Sequence, residues 1–176
     1  MMKVKHSFLV FAAAFLMVMP AFAKTGVVYQ RQDSLRIVSL LQQAKAMKKK
    51  PANWMMWFGK QFVGIPYVGG TLDRTQEELL VVNTRELDCT TYVEIVTALT
   101  MCAKHQETSF AAFCNHLKHV RYIGGEVAYV KRQHYFTLWV DDNVKEGIVK
   151  DIQNNPPFSA VQTLSLIHIS EPTRLR

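Results

Sequence analysis

The stretch DCTTYVEIVTALTMCAK, residues 88–104, decides the fold of this chain. Its apolar residues recur at every third or fourth position, which predicts a long helix with one buried stripe. Asp88 is a favoured N-cap residue, so the helix is predicted to begin directly after it, with Cys89 in the first turn. The stripe comprises Tyr92, Ile95, Val96, Leu99, Cys102 and Ala103. The helix therefore has a polar start that carries a thiol.

Segments on both sides extend this pattern. Residues 33–50, 53–63 and 109–120 also have helical spacing, and Asn53 is a predicted N-cap. Residues 76–82 fit either a short helix or a loop. Beyond Arg121, residues 127–130 and 134–140 are rich in β-forming side chains and predict strands. Helices followed by antiparallel strands predict an α+β fold.

The two ends of the sequence are predicted to lie outside the folded domain. Residues 1–23 combine an early basic region, an apolar run and small residues before Lys24, which is typical of a cleaved secretory signal. The run of about twelve residues is too short to span a bilayer, so no stable membrane anchor is expected. Residues 164–176 resemble the translation of a sequencing adapter. We therefore expect the domain to cover residues 24–163 and to be truncated, with native sequence continuing beyond Thr163.

The composition indicates one soluble globular domain. Apolar residues make up 49% and charged residues 20%, which excludes an acidic disordered tail and a multi-span membrane protein. The formal net charge of +7 falls to +4 once the four basic residues and one acidic residue of the two end segments are set aside. The lysines at positions 48–50 are interpreted as a solvated helix end. Because no nucleic-acid-binding motif accompanies them, no nucleic-acid partner is expected.

Cys89 is the strongest candidate for catalysis. Unpaired N–H groups and the positive end of the helix dipole favour a thiolate there. A cysteine nucleophile also needs an imidazole that acts as base and acid, and His134 at the predicted strand start is the best candidate. A buried structural role is the alternative for Cys89. That role suits Cys102 and Cys114 better because both lie on apolar stripes, where a disulfide between them is a further alternative.

A metal site is not expected. Cys114, His116 and His119 are close in sequence, but Cys114 projects about 200° from His116 at 100° per residue. The three side chains therefore cannot converge from one helix. His105 is interpreted as a solvent-facing residue at a helix end. No metal and no other cofactor is predicted.

Five blocks together resemble a known family. They are residues 62–71 (FVGIPYVGGT), 80–83 (LVVN), 85–94 (RELDCTTYVE), 133–137 (QHYFT) and 147–152 (GIVKDI). The set is similar to the N-acetylmuramoyl-L-alanine amidase-like family, long catalogued as a domain of unknown function. Its members resemble the NlpC-type cell-wall cysteine peptidases, which have a papain-like core. The cysteine block (85–94) and the histidine block (133–137) are specific to the family when they occur together, whereas either block alone is weak evidence for it.

The resemblance implies a catalytic arrangement. It assigns Cys89 as nucleophile and His134 as general base. A third polar residue orients the imidazole in NlpC-type enzymes, and Asp151 is the preferred candidate, with Asn143 as the second choice. An acidic residue is expected after the HYFT block, where this chain has Leu138.

The resemblance also implies a substrate and a place of action. Tyr67 matches an aromatic residue that borders the cysteine, although a buried aromatic is an equal alternative for it. Asp88 and Thr90 are the other predicted substrate contacts. The expected activity is peptidoglycan hydrolysis at the N-acetylmuramoyl-L-alanine amide by a secreted, periplasmic enzyme. The alternatives are a γ-D-glutamyl-diamino acid endopeptidase and a catalytically silent wall-binding module.

Overall fold

The computed structural model describes residues 26–150, which hold five α-helices and two short strands. Residues 1–25 and 151–176 lie outside the described residues, and with them the predicted signal, the predicted adapter segment and Asp151. In chain order the elements are β1 (Val27–Tyr29), α1 (Arg31–Ala46), α2 (Trp54–Lys60), β2 (Leu80–Val82), α3 (Cys89–His105), α4 (Phe110–Arg121) and α5 (Phe136–Lys145). None of these helices has the length and apolar character that crossing a membrane requires.

The centre of the fold is the pair of helices α3 and α4, which are joined by residues 106–109. Their facing sides are fully buried because the apolar stripes of the two helices meet. Burying one such side chain stabilises the fold by roughly 1.5–3 kcal/mol. Helices α1 and α2 pack against α3 and close the core. The innermost residues of this core include Ile37, Leu41, Phe58, Ile95, Leu99, Phe113 and Leu117.

The predicted helix starts are confirmed at three places. The side chains of Asn53, Asp88 and Ser109 each accept a hydrogen bond from the backbone N–H three residues on, at 3.1, 2.8 and 3.1 Å. Such a cap is worth about 1 kcal/mol because it satisfies a backbone donor that the helix leaves unpaired. Helix α1 begins two residues earlier than predicted and ends at Ala46. The three lysines at positions 48–50 therefore follow the helix instead of closing it.

The sheet differs from the predicted one. β1 and β2 pair in parallel, with Val27 opposite Leu80 and Tyr29 opposite Val82. The prediction of an antiparallel sheet after the helices is therefore wrong for residues 26–150, because the first strand precedes α1 and the second precedes α3. Parallel strands need a long crossover connection, which α1 and α2 provide. The ambiguous segment 76–82 ends as a fully buried strand.

The strands predicted at residues 127–130 and 134–140 are also wrong. Residues 129–131 form a 3₁₀ turn, and α5 begins two residues after His134. Trp139 and Asn143 lie one helical turn apart and are both buried, whereas Phe136 and Leu138 are exposed. A helix also satisfies its own backbone hydrogen bonds, while a strand requires a neighbouring strand. The described chain is therefore a helix-rich α+β fold with one small parallel sheet.

Candidate active site

Cys89 is the first residue of α3, and its side chain is exposed. The carboxylate of Asp88 accepts hydrogen bonds from the N–H and the hydroxyl of Thr91, both at 2.8 Å. The Thr91 hydroxyl in turn accepts from the Asp88 N–H at 2.9 Å. This capping box fixes the first turn and leaves the N–H groups of Cys89 and Thr90 without intrahelical acceptors. The thiol sulfur lies 3.9 Å from the Thr90 hydroxyl.

An apolar cleft of about 220 Å³ opens beside the thiol, and we call it the aromatic cleft. It is lined by Phe62, Ile65, Tyr67, Leu87, Asp88, Cys89 and Tyr92. Tyr67 is 74% exposed, so it stands on the cleft wall and is not a buried aromatic. The Val68 N–H donates to the Leu87 carbonyl at 3.0 Å, and the Leu87 N–H donates to the Pro66 carbonyl at 3.1 Å. These bonds fix Tyr67 next to the start of α3.

A second cleft, of about 160 Å³, contains His134, and we call it the polar cleft. The imidazole Nε2 lies 2.9 Å from the backbone carbonyl of Tyr129, and the two rings are 4.5 Å apart. Because a carbonyl only accepts hydrogen bonds, Nε2 carries the proton in this contact. In the neutral ring, Nδ1 is then free to accept a proton. The lining residues are Gly70, Thr71, Leu72, Asp73, Asp88, Thr90, Thr91, Glu94, Arg132, Gln133 and His134.

Cys89 and His134 occupy neighbouring clefts that share Asp88. Thr90, which contacts the thiol, also lines the polar cleft. Within residues 26–150, the polar contact of the thiol is to Thr90 and that of the imidazole is to Tyr129. The structure thus gathers the predicted substrate contacts around Cys89, but it does not form a thiol–imidazole hydrogen bond.

A buried ion pair connects the helix of Cys89 to the segment of His134. Arg121 Nε lies 2.7 Å from Glu94 Oε2, and the two side chains are 1% and 2% exposed. Arg121 also donates to the Val81 carbonyl at 2.7 Å, while its own carbonyl accepts from the Gln133 N–H at 3.1 Å. Burial raises the pKa of the Glu94 carboxyl, and the charge of Arg121 opposes that rise. The pair thereby fixes the residue before His134 relative to α3.

A second buried arginine holds the same segment from the other side. The Arg132 guanidinium pairs with Asp73 and, at 3.3 Å, with Glu78. Sequence reasoning did not single out either arginine or Glu94 as functional. The sequence contains one signal for this ion pair: Glu94 is a charged residue inside a predicted helix, and the residues on either side of it, Val93 and Ile95, are apolar.

The two candidates for orienting the imidazole are placed differently. Asp151 lies outside the described residues. Asn143 is buried, and its Nδ2 approaches backbone carbonyls of Val120 at 3.2 Å and Trp139 at 2.8 Å. It also lies 3.1 Å from Gln133 Oε1. Asn143 therefore contacts the residue that precedes His134 and not the imidazole.

The structure confirms the prediction that the remaining two cysteines are buried. Cys102 and Cys114 are free thiols in the structure, so the alternative of a disulfide between them is not observed. Burial, together with the nearby charge of Glu107, raises the pKa of Cys102 to about 12. Burial raises the pKa of Cys114 to about 11. Both thiols are protonated at neutral pH, and Cys89 is the exposed thiol of residues 26–150.

Comparison with solved structures reveals several similar proteins. An N-acetylmuramoyl-L-alanine amidase from Bacteroides uniformis is 35% identical with a TM-score of 0.50, over 60% of this chain and 41% of that one. A Bacteroides fragilis protein provisionally described as a xylanase is also 35% identical, with a TM-score of 0.50, over 53% and 41% of the two chains. A Legionella pneumophila protein is 26% identical with a TM-score of 0.55, over 66% and 38%. This chain spans about two fifths of the length of these structures.

No curated protein matches the chain. The family model described as N-acetylmuramoyl-L-alanine amidase-like matches residues 57–168, and so ends inside the segment predicted to derive from an adapter. The matched range is more than half of the 176 residues and includes both clefts and α3 through α5. The chain therefore belongs to the N-acetylmuramoyl-L-alanine amidase-like family.

Proposed function

We propose that this chain is the catalytic part of a peptidoglycan hydrolase that cleaves the amide between the muramic acid lactyl group and L-alanine. One observation carries the proposal. In a member of the amidase-like family, an exposed thiol in the first turn of a long helix lines the aromatic cleft, and the neighbouring Asp88 and Thr90 line the polar cleft that contains His134. This position places unpaired helix N–H groups beside the thiol and opens the thiol to a substrate bound in the aromatic cleft.

In the proposed reaction, His134 accepts the thiol proton of Cys89, and the resulting thiolate attacks the lactyl carbonyl carbon. The free N–H groups of Cys89 and Thr90 stabilise the oxyanion. The protonated His134 donates its proton to the departing L-alanine nitrogen, so that the C–N bond breaks and a thioester remains. Water then attacks the thioester, His134 accepts its proton, and the carboxylic acid and the thiolate are released. For these transfers His134 Nδ1 must approach the thiol, a contact that commonly tightens when substrate binds.

The clefts supply the proposed binding surface. The exposed Tyr67 ring offers an apolar face to the sugar or the lactyl group. Asp88 lines both clefts and Thr90 lines the polar cleft; the Asp88 carboxylate would accept hydrogen bonds from the stem peptide, and the Thr90 hydroxyl would accept or donate one. Asp151 is the proposed orienting residue, because the Asn143 amide is engaged elsewhere. We further propose that the protein acts after secretion, in the periplasm, and that its catalysis uses no metal.

Product analysis on purified muropeptides tests this function. The protein is expressed both as this 176-residue chain and as the product of the resequenced gene, each with a Cys89→Ala control. Release of an intact stem peptide that begins with L-alanine is the expected result. Cleavage after γ-D-glutamate would instead identify the endopeptidase. Binding without turnover in both proteins would identify a silent wall-binding module, and cleavage of xylan would favour the activity suggested for the Bacteroides fragilis relative.

A further inference from the structure

The far end of α3 brings together a second set of reactive side chains. The sulfur of Cys102, a carboxylate oxygen of Glu107 and a ring nitrogen of His116 all lie within 4.8 Å of one another. They come from α3, from the connecting residues 106–109 and from α4. Thiolate, carboxylate and imidazole are ligands that zinc takes in proteins, at about 2.0–2.3 Å from the metal. Ligand atoms in a tetrahedral zinc site are then about 3.5 Å apart, so the more distant atoms must approach by roughly 1 Å, while the Glu107 and His116 atoms, which lie 2.6 Å apart, must separate by a similar amount.

The backbone fixes two of these side chains against each other. Gln106, which follows α3, has a φ of 60°, in the left-handed region that residues other than glycine rarely adopt. Its N–H donates to the Ala103 carbonyl at 3.3 Å, and the Glu107 N–H donates to the Cys102 carbonyl at 2.9 Å. This pair of bonds is the Schellman turn, which folds the chain back over the last helical turn. It therefore returns Glu107 to Cys102.

The third side chain is held from two directions. His116 Nε2 lies 2.6 Å from Glu107 Oε2, and its ring is stacked on that of His105 with centroids 5.6 Å apart. Cys102 is fully buried, whereas the side chains of His116 and Glu107 are 19% and 44% exposed. The cluster thus has a closed inner side and an opening to solvent through which an ion can enter.

The charges of the cluster suit a divalent cation. One carboxylate and one thiolate together balance a charge of two. A cation between the two groups would displace the thiol proton into solvent. Lys45 and Lys50 line a small hollow beside Glu107, so their charges oppose cation binding.

We propose that Cys102, Glu107 and His116 bind one zinc ion, with water as the fourth ligand, and that the ion clamps the turn between α3 and α4. Cys89 lies at the opposite end of α3, about 20 Å away at 1.5 Å per residue. The site is therefore separate from the proposed active site. Its role is to stabilise the helix pair, and it is independent of whether the protein cleaves peptidoglycan.

Metal titration of the Cys89→Ala variant tests the proposal, because this background removes the exposed thiol as a competing ligand. One equivalent of zinc is expected to bind and to raise the thermal midpoint, since it binds the folded state. Cobalt in place of zinc is expected to give a sulfur-to-metal charge-transfer band. Cys102→Ala and His116→Gln should each lower zinc affinity by more than about 100-fold. Residues that only support the ligands change metal affinity by about 10- to 100-fold, so a larger loss identifies a ligand.

Matched controls lie on the same helix as His116. Cys114→Ala removes another buried thiol, and His119→Gln removes another imidazole; both variants should retain zinc binding. Glu107→Gln is a ligand variant at an exposed position, which keeps the test valid if Cys102→Ala unfolds. The proposal is overturned if the Cys89→Ala protein binds no stoichiometric zinc, if the cobalt complex lacks the charge-transfer band, or if His116→Gln and Glu107→Gln bind zinc as tightly as their parent.

Discussion

Helix α3 carries a cysteine near each end, and the two ends differ in almost every physical respect. At the start, Cys89 is exposed on the wall of the aromatic cleft, with helix N–H groups open to an incoming anion. Near the other end, Cys102 is fully buried, and its pKa is raised to about 12. The same side chain in one helix is thus an exposed thiol at one end and a buried, protonated thiol at the other. Position along the helix, and not residue type, determines which chemistry is available.

Removing the exposed thiol is the change with the largest expected effect. Cys89→Ala should lower hydrolysis of muropeptides by at least about 10⁴-fold, because no other group replaces a covalent nucleophile. Circular dichroism should show an unchanged helix content, since the side chain is exposed. The matched control is Cys114→Ala, which should keep the wild-type rate. Near wild-type activity in Cys89→Ala would refute the thiolate mechanism.

The middle of α3 links its two ends through the Glu94–Arg121 pair. Glu94→Gln leaves the Arg121 guanidinium buried without a counter-charge, which should lower the free energy of unfolding by about 3–5 kcal/mol. Glu107→Gln, at an exposed position beyond the same helix, serves as the control and should change stability by less than about 0.5 kcal/mol in metal-free protein. Urea denaturation of both variants measures the difference. Equal losses would show that the buried pair does not hold the segment of His134.

Alkylation rates compare the cysteines directly. Cys89 should react with iodoacetamide at least about 100-fold faster than Cys102 or Cys114, because the buried thiols react only after the fold opens. Peptide mass spectrometry at successive times gives the three rates separately. If Cys102 is labelled as fast as Cys89, the burial of the α3 stripe is wrong.

Acid should weaken the contact between Asp33 of α1 and residues 84–85, which precede Cys89 in the chain. Asp33 is buried and accepts hydrogen bonds from the Thr84 N–H at 2.9 Å and from the Gln30 N–H at 2.9 Å. Burial alone raises the pKa of the Asp33 carboxyl, but these hydrogen bonds and the charge of Arg85 outweigh it and hold the pKa below 3.8. The ionised carboxyl therefore stabilises the fold at any pH above the ordinary pKa of an aspartate. This stabilisation is lost as the pH falls through the lowered pKa of the folded state.

Asp33→Asn measures that contribution. The variant should be about 1–3 kcal/mol less stable than wild type at neutral pH, because one buried acceptor is replaced by a donor. The difference should shrink as the pH falls below 3.8. Urea unfolding at a series of pH values gives both quantities. A difference that does not change with pH would exclude titration of Asp33 as its source.

The sequence was sufficient for helices whose start residues and apolar stripes agree. Asp88 and Ser109 are caps that act within three residues of their own position, and the stripe of α3 repeats over several turns, so local information determines both. The segment after Arg121 was mispredicted for the opposite reason. Residues 134–140 contain β-forming side chains, but the burial of Trp139 and Asn143 depends on where α4 lies, and that is not visible in the local pattern.

The candidate site shows the same limit. The placement of Cys89 follows from its own helix and was predictable. The connection of Glu94 to Arg121 spans two helices, and so does the proposed zinc site, whereas the spacing of Cys114, His116 and His119 concerns one helix alone. The cysteine that approaches His116 is Cys102, from the neighbouring helix. Sequence spacing predicts contacts within an element, whereas contacts between elements require the packing.

The pairing of β1 with β2 has a consequence for the order in which the molecule assembles. Helices α3 and α4 are joined by residues 106–109, so they meet after closing a short loop at small entropic cost. Val27 must find Leu80 across more than fifty intervening residues, and contacts that distant in sequence form slowly. We therefore expect the helix pair to nucleate folding and the first strand to dock late. The nascent protein would then present the exposed Cys89 thiol on a formed helix before the fold around it is complete, so that the thiol is open to modification during folding.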